Sequence, residues 1–239
     1  MQLIRVKDYE AMTEKLLEIF TETIKQKPDC VLSFTTGATP KGLLEGLAER
    51  INQGLDIHEC TFCNLDEYVG KRDSVYSVYR FMHETLYDRI TARPKEIYMF
   101  NGEAPDQEKE LERYGKILKD HPRDIQLLGL GVNGHIGANE PGTSFQSSLF
   151  VADSKESTMQ STKLLYDLTE EETPSQMYTM GFQEIMAAKC VILAVSGRSK
   201  AEAVKRIMEK KITEEVPATY LWNHPNCMLI MDEDAASLL

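Results

Sequence analysis

Two hydrophobic periods alternate along the chain, and this alternation limits the possible folds more than any other feature. Residues 8–26 space Met12, Leu16, Leu17, Ile19, Phe20 and Ile24 at helical intervals. Residues 29–37, DCVLSFTTG, read as a buried strand ending in Gly37. Residues 40–54 form the next helical pattern, with Leu43, Leu44, Leu47 and Ile51 on one side. HECTFCNLDEY over 58–68 is a second strand, and residues 74–91 predict a helix on Tyr79, Phe81, Met82, Leu86 and Tyr87. Further strands are expected at 96–101, 124–131, 189–197 and from 226, with helices at 106–120 and 199–210 between them. Strands separated by helices imply βαβ units and an α/β fold, a mostly parallel sheet with helices on both faces.

At 239 residues the chain suits one domain. A protein of this mass should expose about 11,000 Å² when folded and bury about 70% of its unfolded surface. A core is therefore available without disulfides or a structural metal. Residues 143–178 are the least periodic stretch, and long irregular segments in compact domains often serve as lids. The expectation is one domain over 1–239, with 143–178 as its lid.

Charge excludes other classes. The chain has 27 Lys and Arg against 38 Asp and Glu, a net charge of −11, which argues against a nucleic-acid partner. A small anion needs only a few local cations and remains possible. The longest apolar runs, such as Cys190–Val195, are far short of a membrane span, and the N-terminus has no apolar leader. These features predict a cytoplasmic protein without a membrane partner. Cys30, Cys60, Cys63, Cys190 and Cys227 are odd in number and irregular in spacing, against a disulfide framework. Cys60-x-x-Cys63 lacks the second ligand pair that zinc needs, so buried thiols are expected.

In open α/β sheets ligands bind beyond the carboxyl ends of the strands. Four segments occupy that position. In TTGATPKG, Thr39 can cap the following helix with Pro40 in its first turn, and free N–H groups there attract phosphate. In NLDEYVG, Asp66 and Glu67 diverge from an extended segment, so one of them can face a crevice as a base for a carbon-bound proton. In LGLGVNGHIGANEPG, five glycines surround Asn133, His135, Asn139 and Glu140. A lone His is usually structural. One in a glycine-rich strand-end loop, five residues before a Glu, points to proton shuttling. In SGRSKAEAV, Arg198 and Lys200 open a helix and can hold an anion with its dipole. No metal-ligand spacing occurs around these groups.

In order along the chain, TGATP, LDEYVG, FMH at Phe81–His83, GVNGHIGANEPG and SGRSKA resemble the glucosamine-6-phosphate deaminase/isomerase family. VPATYLWNHPNCMLI also looks like its galactosamine-6-phosphate isomerase branch. The resemblance implies a Rossmann-like fold and a cofactor-free, metal-free reaction. An amino-sugar 6-phosphate would be isomerised and deaminated to a ketose 6-phosphate and ammonia. Asp66 matches the base that moves a proton between C2 and C1. His135 matches the ring-opening group, Glu140 its acidic partner and Asn133 a position that helps orient it. Gly37, Ala38, Thr39 and Lys200 match phosphate-binding positions. The implied partner is a small sugar phosphate, and the chain is expected as a monomer or small homo-oligomer.

Several positions depart from the family pattern. Asn133 stands where many members have Asp, Val78 follows Ser77 where many have Tyr, and Ala138 replaces a Phe beside the His loop. Lys163 is the expected stand-in for a lid Arg that helps hold the phosphate, and it offers a point charge rather than a fork. Two alternatives share the fold. A 6-phosphogluconolactonase-type hydrolase is disfavoured by the NEPG loop, and a non-catalytic sugar-phosphate sensor by the absence of a DNA-binding helix-turn-helix.

Overall fold

The structure is a computed structural model that describes residues 1–154 and 156–239, with 156–158, 161 and 165 described by backbone alone. The chain runs β1 (Gln2–Val6), α1 (Tyr9–Gln26), β2 (Val31–Phe34), α2 (Ala38–Asn52), β3 (Thr61–Asn64), β4 (Asp66–Tyr68), α3 (Val78–Met82) and β5 (Glu96–Tyr98). It continues through α4 (Gln107–Asp120), β6 (Ile125–Gly129), β7 (Phe150–Asp153), α5 (Glu156–Tyr166), β8 (Gln176–Thr179) and α6 (Phe182–Met186). β9 (Cys190–Val195), α7 (Ala201–Met208) and β10 (Cys227–Asp232) complete it.

Seven strands pair in parallel in the order β1-β10-β9-β6-β2-β3-β5. From β2 the chain winds outward to β3 and β5, then returns to β6 on the other side and winds away to β9 and β10. The winding therefore reverses between β2 and β6, and such switch points open a crevice at the strand ends. The fold is the expected α/β, Rossmann-like arrangement.

Strand alternation feeds both faces. Val191, Leu193 and Val195 of β9 join one core with Tyr114 of α4, Phe182 of α6 and Val204 of α7. Ile192 and Ala194 join the other, with Leu16 and Phe20 of α1 and Leu43 and Leu47 of α2. Each Val, Leu, Ile or Phe side chain among these, fully buried, contributes about 1.5–3 kcal/mol. The accessible surface is 11,186 Å², as the mass predicts. Below the sheet, at the ends remote from the crevice, Asp124 clamps three segments. It accepts from Lys27 Nζ at 2.6 Å, Lys189 Nζ at 2.9 Å and Val31 N at 2.8 Å.

Four local expectations change. β1 was not expected; it is a short, largely exposed edge strand that pairs only with β10. The strand expected over 58–68 is two: Leu65 donates to Phe34 O in the large sheet, while its carbonyl accepts from Met180 N at 3.0 Å. That exchange of partners sends β4 into a second, antiparallel sheet, β4-β8-β7. The helix expected over 74–91 is α3 plus one wider turn, His83–Tyr87, in which Asp88 N bonds His83 O. The segment 143–178 is not without structure, since it supplies β7, α5 and most of β8. Cys60, just before β3, approaches Cys30, just before the neighbouring β2, Sγ to Sγ 3.7 Å, rather than Cys63, and all five thiols are free and buried.

Candidate active site

The ends of β2, β3, β6 and β9 converge on a cleft of about 580 Å³ at the switch point. It is lined by Gly37, Ala38, Thr39, Asp66, Asn133, His135, Glu140 and Lys200, residues from all four segments singled out in the sequence. Lys163 is not on its wall. Of the α5 side chains described, Thr162 and Tyr166 line the cleft.

Asp66 and Glu67 are both buried, 5% and 2% exposed, yet they are used differently. Successive residues on a strand point to opposite faces. Glu67 points away from the cleft to the start of α3. It accepts from Val78 N at 2.9 Å, Tyr79 N at 2.7 Å, Tyr68 N at 2.9 Å and Ser77 Oγ at 3.4 Å. Asp66 lines the cleft, and its Oδ1 has no hydrogen-bond partner. Burial pushes the Asp66 carboxyl up to about 7, and the neighbouring Glu67 charge adds to the rise. Burial raises Glu67 to about 7 as well, against the pull of its four donors, which favour the charged form.

Above β6 the glycine-rich loop folds back on itself, Gly131 N donating to His135 O at 2.9 Å. Asn133 Oδ1 accepts from His135 N at 3.1 Å, and its Nδ2 donates to Glu140 Oε2 at 2.8 Å. Asn133 thus ties the backbone of the His to the carboxylate. His135 Nδ1 lies 3.3 Å from Glu140 Oε1, an ion-pair distance without hydrogen-bond geometry. Gly131 is required by proximity, because a Cβ there would overlap the His135 ring. Asn139 Nδ2 anchors the far end of the loop to Ile136 O and Met180 O.

Opposite this loop, α2 begins two residues earlier than expected. Gly37, at φ +114°, is the N-cap and makes no side-chain cap, so Thr39 and Pro40 lie inside the first turn. That leaves backbone N–H groups of a 15-residue helix open to the cleft. Ser199 and Lys200 face it from the turn after β9. Burial lowers the Lys200 ammonium below its ordinary range. Among the described residues, no group of three or more His, Cys, Asp or Glu side chains is placed to hold a metal ion.

Sequence reasoning missed the remaining wall. Tyr68, Tyr76, Phe81 and Met177 make it apolar beside Asp66, and Tyr68 packs edge-on against Tyr76 at 5.4 Å. Tyr68 Oη reaches Thr162 Oγ1 of α5 at 3.5 Å. The available signal was the position of Tyr68 two residues after Asp66, on the same side of β4. A second hollow, of about 570 Å³, lies along α1 away from the strand ends. Its charges pair with one another, Lys15 with Glu18, Lys25 with Glu22 and Arg50 with Glu14. It holds no comparable chemistry.

The sequence profile of the glucosamine-6-phosphate isomerases/6-phosphogluconolactonase family matches residues 7–229. The chain belongs to this family. Within the family, a glucosamine-6-phosphate deaminase of Clostridium perfringens (strain SM101 / Type A) is 42% identical over 242 residues, covering 100% of both chains. Glucosamine-6-phosphate deaminase 1 of Bacillus subtilis (strain 168) is 39% identical over 242 residues, covering 100% of this chain and 99% of that one. Among solved structures, a monomeric glucosamine-6-phosphate deaminase superposes with a TM-score of 0.94 at 38% identity over the whole of both chains. The 6-phosphogluconolactonase from Trypanosoma brucei shares the fold, with a TM-score of 0.80 at 20% identity over 100% of this chain and 98% of that one.

Proposed function

We propose that the chain isomerises and deaminates glucosamine 6-phosphate, giving the ketose 6-phosphate and ammonia. The observation that carries this is Asp66, a buried carboxylate with an unpartnered oxygen in the same cleft as the His135–Glu140 pair. A lactone hydrolase has no need of a base at carbon. An aldose-to-ketose shift requires one, and a group ionising near neutrality serves it best. The names of the relatives favour glucosamine over galactosamine as the sugar.

In this reading His135 carries the proton between the ring oxygen and the C1 hydroxyl, with Glu140 beside it at 3.3 Å. Asp66 removes the C2 proton and returns it to C1, while the C1 oxygen takes up a proton and the amino nitrogen gives one up, which leaves a hydroxyl at C1 and a C=N bond at C2. Water adds to that bond and ammonia departs, so the atoms balance as one water consumed per ammonia released. The phosphate lies at the other end of the cleft, on the α2 N-terminus at Gly37, Ala38 and Thr39 and on Lys200. Binding energy from this remote group positions C2 against Asp66. We read residues 1–239 as one unit in which 143–178 forms the lid through α5, with the five free thiols suited to a reducing, cytoplasmic setting.

The test is ammonia release from glucosamine 6-phosphate and galactosamine 6-phosphate, side by side, without added metal or cofactor. Release from glucosamine 6-phosphate, lost in Asp66→Asn, is the expected result. Release from galactosamine 6-phosphate alone would overturn the sugar assignment. Hydrolysis of 6-phosphogluconolactone with neither amino sugar turned over would overturn the reaction.

A further inference from the structure

Asp232 ends β10 and is 4% exposed, and no Lys, Arg or His stands within ion-pair distance of it among the described residues. A buried carboxylate is costly unless hydrogen bonds replace its lost water. Asp232 finds four such contacts. Oδ2 accepts from Ser196 Oγ at 2.5 Å and Gly197 N at 3.0 Å; Oδ1 accepts from Gly197 N at 3.1 Å and Ala235 N at 2.7 Å. Ala235 N belongs to the turn that follows Asp232. The other two donors belong to a different strand end, the Ser196–Lys200 turn after β9.

The sheet register makes this contact possible. Met231 pairs with Val195, so Asp232 comes level with Ser196 where both strands leave the sheet. Ser196, Ser199 and Lys200 all face the cleft. Gly197 sits at φ +93°, so the chain reverses there, and its amide is held by both carboxylate oxygens. The three residues beyond it form a single tight turn with no side-chain cap, leading into α7. Nothing else that a side chain supplies fixes Gly197 from the sheet side.

We propose that Asp232 is a positioning residue for the phosphate end of the cleft, locking the Ser196–Lys200 turn so that Ser199 and Lys200 meet the phosphate. This rests on the reading that Lys200 lies at the phosphate. Asp232 itself never touches substrate. Its own negative charge near an anion is offset by the hydrogen-bond donors it gathers, so its value lies in geometry. A purely structural role would lower thermal stability and scale kcat without selecting for phosphate.

The experiment compares Asp232→Ala, Asp232→Asn, Ser196→Ala and Lys200→Ala, reading kcat and KM for glucosamine 6-phosphate and the competitive Ki of inorganic phosphate. Asp232→Ala is expected to raise KM and Ki together by tenfold or more, with kcat within threefold. Asp232→Asn keeps an acceptor for Gly197 and Ala235 and should recover most of both. Should Asp232→Ala fail to fold, Ser196→Ala, which removes the shortest of the bonds, should still raise KM and Ki a few-fold in parallel. If Lys200→Ala raises KM and Ki while the Asp232 and Ser196 variants leave both unchanged, or lose only kcat, the inference is overturned. If Lys200→Ala also leaves both unchanged, the phosphate assignment falls, and this inference with it.

Discussion

The carboxylates of Asp66 and Glu67 leave one three-residue strand on opposite sides, one into the cleft and one onto the start of α3. Their burial is nearly equal, so burial alone cannot assign their roles. The partners do. Four donors tie Glu67 to its own strand and the start of α3, and Asp66 is left with a bare oxygen facing the cleft beside the Glu67 carboxyl. Burial raises both groups to about 7, so it is the free oxygen of Asp66 that separates a working base from a scaffold.

Asp66→Asn should lower kcat by about 10²–10⁴-fold, because it removes the base and keeps the shape. The same change should stabilise the fold at alkaline pH. The folded carboxyl ionises near 7, above the ordinary value of 3.8. Its contribution to stability is therefore full below the ordinary value and lost as pH rises through the folded one. An amide has no such loss. Melting curves at pH 5 and pH 8 should show the variant gaining on the parent at the higher pH, and a gap that shrinks instead would contradict the buried-base assignment.

The acid limb of kcat/KM for the free enzyme should lie near pH 7, activity falling as pH drops and Asp66 takes up its proton. Burial is the main cause of that position and the Glu67 charge the second. Glu67→Gln removes the second alone. It should move the limb toward lower pH and weaken the hold on Val78 and Tyr79. A pH–rate profile of the two proteins measures this, and an unmoved limb would mean that the Glu67 charge does not reach Asp66.

The sheet was legible because its strands are long apolar runs buried on both faces, as Cys190–Val195 is. The cleft was legible because parallel sheets place their loops at one end, so Gly37, Asp66, His135 and Lys200 had to converge. What escaped was set by partners distant in sequence. β1 exists only through β10, and β4 leaves the large sheet only because Leu65 exchanges Phe34 for Met180. Nothing local in QLIRV or LDEY encodes either event. The Thr39 cap failed for a different reason, since Gly37 starts α2 early and the hydroxyl falls inside the helix.

Gly131→Ala should displace the imidazole, because a methyl at that position would overlap the His135 ring. Removing well-placed acid–base help costs about 10²–10⁴-fold, and kcat should fall accordingly with the fold retained. A crystal structure of the variant with His135 unmoved, or unchanged kcat, would refute the close-approach argument.

Asp124→Asn tests the clamp beneath the sheet. Burial opposes the charged form of Asp124, but bonds from Lys27, Lys189 and Val31 N outweigh it and hold its carboxyl below the ordinary range. The stabilisation is present above the ordinary carboxylate value and is lost as pH falls through the folded one. Lys27 and Lys189 are 40% and 61% exposed at the side chain, so solvent screens both pairs. The loss at pH 7 should be about 1–2 kcal/mol, or about 2–8 °C in Tm. It should vanish in strong acid, and kcat should not change.

Lys163→Ala decides whether α5 contributes a charge to the phosphate. The family resemblance implies Lys163 in the grip, while of the α5 side chains described Thr162 and Tyr166 line the cleft. The contact from α5 to the floor runs through Thr162 Oγ1 and Tyr68 Oη. If that arrangement persists with substrate bound, Lys163→Ala should change KM by less than threefold. Tyr68→Phe should raise KM by more, because it frees α5 from β4 at a cost of about 0.5–1.5 kcal/mol for one hydrogen bond. The opposite order, a tenfold rise in KM for Lys163→Ala and none for Tyr68→Phe, would show that α5 rotates on binding and brings the Lys163 ammonium to the phosphate.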